Sequence, residues 1–527
     1  MSGQKGKSTG HQTISSFSRE SNAKGGGAKS FGGRSSGRKA LETFKTADGG
    51  PAVGSRIEET IGDDAPPARA SRAEAADGIR DEPTYAELLK EGKKEKARAK
   101  EEKLLAERHW RSHAGHVLTY AGIFLFAFII YFRPYELIPA LSSFNSMAMV
   151  VAVATILAYV PTQFTKEGNL TAFTTEVKCI LTLVACAVLT IPIARDPALA
   201  WNTFSGDFSK VAIIFIIMIN TLHSKKRLYG LMWLGIGAAV LLSYQAIGLY
   251  NQGIFNTEGY RVSLDFGGMF ANPNDLAMHL AIFLPIALTL AFASPNKTAK
   301  LLYFIAAGMM VLGIMVTQSR GGFLGFLGMA AVLVWKIGRN QRAKVVLLSS
   351  VTGLFLILFA PGNFGLRILS IFIPSLDPTG SSGERKELLI RSIVVTLRNP
   401  WGIGMGNFPL VGIQNRQTHN AFTQVSAEIG VIALIAYLVL LISPLLKLRA
   451  VEQQLSRNED FSWLYYLSIG VQASIVAYII SSFFGAVAYN WFIYFPIAFA
   501  VGLRRIYRAQ QENAFPDFDR NPAPQNG

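Results

Sequence analysis

The sequence predicts an all-α polytopic membrane protein of about 12 transmembrane helices, with one large external loop and a polar N-terminal tail. Three observations carry this. Half of the 527 residues are hydrophobic and only 16% are charged, against about 25% charged in an ordinary soluble domain. The charge is also crowded at one end: residues 1–113 hold 22 of the 51 Lys and Arg and 17 of the 35 Asp and Glu. Beyond them apolar runs of roughly 15–23 residues recur, the length that crosses a bilayer core. Together these exclude a soluble multidomain enzyme, a secreted disulfide scaffold and a wholly disordered chain.

Residues 1–80 are rich in Gly, Ser, Ala and charge, and bury too little apolar surface to offset chain entropy, so they read as disordered. Met1 opens onto SGQKGKSTG with no apolar stretch, so no cleaved signal peptide is expected. Residues 84–113 are rich in Glu, Lys, Ala and Leu and read as a solvated charged helix, or one that meets headgroups or a partner, ending the tail at residue 113. Spans 1 to 9 fall within 114–360, at about 115–132, 145–163, 176–194, 209–223, 228–250, 274–293, 298–317, 321–338 and 343–360. A long loop occupies 361–423. Spans 10 to 12 fall within 424–504, near 424–445, 463–483 and 486–503, and residues 505–527 form a C-terminal tail. Cys179 and Cys186, seven residues apart on one helix, are about 10 Å apart along its axis, too far to bridge.

The chain is basic, with a formal net charge of +16. Where the cations lie argues for membrane orientation rather than nucleic-acid binding. If the tail is cytoplasmic, the inner connections carry 17 Lys and Arg and the short outer ones 5. That asymmetry follows the positive-inside rule and places both termini in the cytoplasm and the 361–423 loop outside. The loop nonetheless carries Arg367, Arg385, Lys386, Arg391, Arg398 and Arg416. Within it, GERKELLIRSIVVTLRNP has the apolar spacing of a short amphipathic helix on or near the membrane surface, stopped at Asn399-Pro400.

Four outer features carry candidate chemistry. EGYRVSLDFGGMFANPNDLAMHL (258–280) holds Arg261, TQSRGG (317–322) holds Arg320, the basic loop helix runs on into NPWGIGMGNF (399–408), and QTHNAFTQVSAEIG (417–430) holds His419 and Glu428. A charge at membrane depth is costly and tends to mark a site. Arginine suits phosphate, because its planar fork donates two hydrogen bonds and stays charged. A histidine beside such a cradle suits general-base work. The chemistry these residues suggest is attack on a carbon whose leaving group is a phosphate held by arginines. Plainer readings stand beside it: Arg320 as a snorkelling span anchor, Arg261 as a solvated loop residue, His419 as a helix-start residue and Glu428 as a structural partner of an outer cation. GIGMG lacks a strand-to-helix setting and reads as a flexible turn. No His/Cys cluster marks a metal site, and no cofactor is called for.

These motifs, SRGG, GER…RNPWGIGMGNF, THNAF…EIG and the Gly-Tyr-Arg…FANPN approach to the sixth span, occur in an order that resembles the O-antigen ligase/O-antigen polymerase family, over roughly residues 258–445. The resemblance implies about twelve membrane helices with a large periplasmic loop between helices 9 and 10, in a bacterial inner membrane. It implies a metal-independent, inverting glycosyltransferase that moves a glycan from a polyprenyl diphosphate carrier to an acceptor hydroxyl. The acceptor is a second lipid-linked glycan, a lipid A core or a protein hydroxyl. Carried onto this chain, Arg261, Arg320 and Arg385 hold the donor diphosphate and His419 activates the acceptor, with Lys386 and Arg391 as supporting residues placed by proximity. Two rivals from other classes are a twelve-helix secondary transporter, which predicts two similar six-helix halves, and a non-catalytic membrane scaffold.

Overall fold

The computed structural model describes residues 116–137, 146–264, 270–337, 365, 381–458 and 462–514. Residues 1–80, the expected charged helix at 84–113, the expected ninth span at 343–360, residues 366–380 of the expected long loop and residues 515–527 lie outside the described residues.

The described residues are all-helical, without strands. In chain order the helices are α1 (Val117–Phe132), α2 (Pro134–Leu137), α3 (Met147–Glu167), α4 (Thr175–Thr190), α5 (Pro197–Thr203), α6 (Ser209–Thr221), α7 (Lys225–Asn251), α8 (Pro273–Ala293), α9 (Lys297–Val316), α10 (Arg320–Ile337), α11 (Ser381–Arg398), α12 (Phe408–Val411), α13 (Ala421–Ile429), α14 (Val431–Arg457), α15 (Trp463–Ser481) and α16 (Tyr494–Ala514). Among the described residues eight helical runs are long and apolar enough to cross a membrane, and α1 is a shorter apolar helix. Polar caps start several of them: Thr174 Oγ1 accepts from Val177 N, Asn272 Oδ1 from Asn274 N and Asn296 Oδ1 from Thr298 N. Each cap satisfies an amide that would otherwise lack a partner at a helix start.

Helix α8 is the centre of the bundle and its most buried span. It packs against α9, α10 and α15, and α15 in turn against α10, α14 and α16. Spans nearer the rim present apolar side chains outward, such as Ile432, Ile435, Val439 and Ile442 of α14. Bilayer lipid covers that kind of surface without cost. Cations gather at the opposite end of the bundle from the 399–420 segment. Lys447 Nζ reaches the buried Glu176 carboxylate at 2.8 Å, Lys336 pairs with Glu452, Arg505 Nη1 donates to Ile219 O at 2.7 Å, and Lys225 lies 4.7 Å over the Trp463 ring.

Three expected boundaries shift. The fourth span, expected at 209–223, is one helical run from Pro197 to Thr221, because a π-helical turn at Phe204–Phe208 joins α5 to α6 without a break. The tenth span starts at Val431 rather than 424. Gly430 sits at φ +93°, and a Cβ there would lie 2.8 Å from the Trp401 carbonyl, so the chain breaks and only α14 continues as a span. The twelfth helix begins at Tyr494 rather than 486. Residues Val487, Ala488, Tyr489 and Phe492 are apolar because they are buried in protein: Ala488 N donates to Gln424 Oε1 and Tyr494 Oη donates to Ala488 O. Irregular backbone at this depth is tolerated where protein supplies its hydrogen-bond partners.

Candidate active site

The site is built from three loops and one helix at the same end of the bundle. The first loop runs from α7 to α8. Thr257 and Arg261 exchange backbone hydrogen bonds (3.2 and 3.0 Å) around residues 258–260, and within them Tyr260 N reaches Thr257 O at 3.4 Å to close a turn whose central residues, Glu258 and Gly259, both have positive φ. Such a turn needs left-handed backbone at both central positions, which is why glycine is found at 259. The turn delivers Arg261, 2% exposed, into the fold. Its Nε donates to Thr317 O (3.2 Å), its Nη2 to Asn274 Oδ1 (2.8 Å) and its Nη1 to Glu258 Oε1 (3.3 Å).

The second loop is the tight turn between α9 and α10. Ser319 Oγ donates to the same Asn274 Oδ1 at 2.8 Å, and Gln318 Nε2 donates to Tyr260 O at 3.2 Å. Asn274 therefore ties the GYR, ANPN and QSRGG segments into one knot. The third loop runs through 412–420. His419 has φ +51°, and Asn420 beside it caps α13 by accepting from the Phe422 and Thr423 amides. Among the described residues six non-glycine positions have positive φ, and five of them, Glu258, Gln318, Gln414, Asn415 and His419, lie in these three loops. Backbone outliers of this kind concentrate where a fold holds functional groups in place.

Helix α11 completes the site. Leu388 and Val395 on its inner face pack with Ile403, Phe408 and Ala427 in a small external core, and Thr396 Oγ1 meets Ser426 Oγ at 3.0 Å. That packing turns the start of α11 toward the loops. The result is a cleft of about 310 Å³ lined by Glu258, Arg261, Asn274, Glu384, Arg385, Arg416 and His419, among others. Glu384 pairs with Arg416 across its mouth. Burial, and then the charges of Arg385 and Arg416, hold the His419 imidazole below its usual pKa, with Glu384 pulling the other way. His419 is thus a neutral, proton-accepting ring at neutral pH.

The structure therefore brings together Arg261, Arg385 and His419, from segments up to 158 residues apart in the chain. Arg320, at the start of α10, is buried, but is not among the residues lining the cleft. Lys386 and Arg391 do not line it either: both are exposed, and Arg391 Nε donates to Val411 O at 3.0 Å. Arg416, Glu384, Glu258 and Asn274 line the cleft without having stood out in the sequence. The signal available for Glu384 was its place directly before Arg385, and for Asn274 its place in ANPN.

Residues 305–438 match the O-antigen ligase family model.

The match supports assignment to the O-antigen ligase/polymerase family and an O-antigen ligase-type function in surface polysaccharide assembly. No curated protein matches the chain. The O-antigen ligase segment takes in Arg320, Arg385, Arg416, His419 and Glu428, whereas Arg261 comes from outside it and is delivered by the loop before α8.

Within the O-antigen ligase segment Glu428 does not line the cleft. It is fully buried in α13, accepts from Phe408 N (3.4 Å) and lies beside Tyr489. The 402–408 segment around it is pinned rather than flexible. Ile403 N donates to Ala427 O, Gly404 N to Glu428 O and Arg195 N to Ile403 O, and Asp196 N donates to Asn407 Oδ1 at 2.6 Å. Burial pushes the Glu428 carboxyl up to about 7, although the Gly406 amide, Tyr489 and the Phe408 amide oppose the shift. Because the folded protein then holds a proton that the unfolded chain gives up near 4.5, stability falls as pH rises from about 4.5 through about 7 and then levels off. Glu428→Gln is expected to flatten that slope. Thermal unfolding in detergent over about pH 5 to 8 measures it, and an unchanged slope assigns the effect to another group.

Proposed function

We propose that the protein transfers a glycan from a polyprenyl diphosphate carrier to an acceptor hydroxyl at the outer face of a bacterial inner membrane, without a metal and with inversion at the sugar carbon. The observation that carries this reading is the cleft in which Arg261, Arg385 and Arg416 surround a neutral His419. The arginines hold the diphosphate and draw off its developing charge as the glycosidic C–O bond breaks. His419 takes the proton of the acceptor hydroxyl, which attacks from the opposite side. The acceptor is a lipid A core, a second lipid-linked glycan or a protein hydroxyl.

The test uses the full chain in liposomes with a polyprenyl diphosphate-linked glycan and an acceptor. Release of polyprenyl diphosphate together with glycosylated acceptor supports transfer. Movement of the glycan across the bilayer with its carrier bond intact supports a transporter and overturns the reading.

The orientation within this proposal is separately testable. The cation-rich helix ends, including Lys225, Lys297, Lys336 and Lys447, face the cytoplasm, and the cleft faces the periplasm. A cysteine at Gly383, where a Cβ meets no neighbour within 4 Å, is expected to react with an impermeant thiol reagent in cells with a permeabilised outer layer. One at the exposed Lys297 is expected to stay unlabelled until the inner membrane is opened. The opposite pattern places the cleft in the cytoplasm.

A further inference from the structure

Helix α11 has three faces. Glu384, Arg385, Leu388, Ser392 and Val395 point toward the cleft and the external core. Glu387, Arg391 and Arg398 form an exposed charged side. Between them runs a stripe that neither serves the core nor avoids solvent: Leu389, Ile390, Ile393 and Leu397 are 36%, 53%, 45% and 77% exposed. Trp401, 67% exposed, extends the stripe past the helix end. An apolar side this long on an external helix calls for a partner.

Two features of the structure say which. The stripe is continuous with a surface that already faces lipid. Val431 N donates to Pro400 O at 2.9 Å, and the Trp401 backbone abuts Gly430, so Trp401 stands at the head of α14 above its outward row Ile432, Ile435 and Val439. The stripe is also flanked by cations, Lys386 at its start and Arg391 and Arg398 alongside, all exposed. An apolar side bordered by Lys and Arg, ending in Trp, is the pattern of a helix lying in the plane of an anionic bilayer surface.

We propose that α11 is an interfacial helix whose Leu389, Ile390, Ile393 and Leu397, with Trp401, enter the leaflet on the cleft side, while Lys386, Arg391 and Arg398 meet anionic phospholipid headgroups. The expected supporting residues Lys386 and Arg391 thereby acquire a role away from the diphosphate. Because the opposite side of α11 carries Glu384 and Arg385, anchoring it holds one wall of the cleft at headgroup height, where the diphosphate of a lipid-linked donor lies. That consequence rests on the proposed transferase reading, whereas the anchoring itself does not.

Nitroxide labels on single cysteines test it, in a background with Cys179 and Cys186 replaced by alanine and the full chain in vesicles of phosphatidylethanolamine and phosphatidylglycerol. Labels at Ile393 and Leu397 are expected to collide with oxygen several-fold more than with a water-soluble nickel chelate, and labels at Glu387 and Arg398 to show the reverse. Equal nickel access at all four positions overturns the proposal. So does shielding of Ile393 and Leu397 from both reagents, which assigns the stripe to another protein or a second copy. These readouts need no activity, so they stand or fall apart from the transferase reading. Ile393→Glu combined with Leu397→Glu is then expected to lower transfer at least tenfold in vesicles and to leave it within a few-fold in micelles. A loss in both settings, or in neither, removes the link between anchoring and the cleft.

Discussion

Replacing His419 with alanine is expected to lower glycan transfer about a hundred- to ten-thousand-fold, the usual effect of losing a positioned base. Donor binding should survive, because Arg261, Arg385 and Arg416 are untouched. His419→Gln should be nearly as poor, since an amide can accept the hydroxyl's hydrogen bond but cannot take its proton. The pH profile adds a readout that a structural role does not produce. Burial and the two arginines lower the pKa of His419 from 6.5, so the rate should fall on the acid side with a midpoint below that value. Glu384 opposes those arginines, and Glu384→Gln should move the midpoint lower still, whereas Arg416→Gln should move it up. A bystander histidine would leave turnover within a few-fold and the midpoint unmoved, transferring the proton's destination to another group.

Arg261→Ala is the second large effect. Losing a buried charge-assisted contact costs roughly 2–5 kcal/mol, about thirty- to several-thousand-fold in donor binding or turnover. The geometry refines how. All three guanidinium nitrogens bond protein groups, Nε to Thr317 O, Nη2 to Asn274 Oδ1 and Nη1 to Glu258 Oε1, and the last of these is a carboxylate that a phosphate could replace. Arg261 is therefore both a contact for phosphate through one nitrogen and the pin of its own loop. Arg261→Lys should restore a charge but not the two anchoring bonds, and so recover activity only in part. Asn274→Ala separates the two roles: it removes one of the two anchoring bonds, leaves the one to Thr317 O, and keeps the charge. If Arg261→Ala binds a lipid-linked donor as tightly as the parent protein while its thermal midpoint drops, the residue holds the loop and nothing more.

Much of this was legible in the chain. Among the described residues hydropathy pointed to the eight span-length helical runs, with three boundaries misplaced, because a bilayer demands long apolar runs and tolerates few charges. Motif order picked out Arg261, Arg385 and His419, which the fold places around one cleft. What escaped notice depends on tertiary packing. Residues 424–429 and 486–493 are apolar enough to extend a span, yet they are buried against protein, around Gln424 and Glu428, rather than in lipid. A one-dimensional pattern cannot separate these two kinds of burial. GIGMG read as a loose turn because its bonds go to distant residues, Ala427, Glu428 and Arg195. Arg416 was one loop cation among six until Glu384, on another element, drew it to the cleft.

The acids of the cleft have a consequence for turnover. Glu258 pairs with Arg261 and Glu384 with Arg416, so these lining arginines already have carboxylate partners. In the proposed reaction a donor diphosphate arriving from the leaflet would not meet bare charge; it would replace one anion with another, and the gain in binding would be the difference between the two. The same exchange runs backward at the end of a cycle. Once the glycan has left, the carrier bears an additional ionisable oxygen and would grip three unopposed arginines more tightly than the donor did, stalling the enzyme on its own product. In the proposed reaction, carboxylates a side chain's length away would reclaim the guanidiniums and let the spent carrier go.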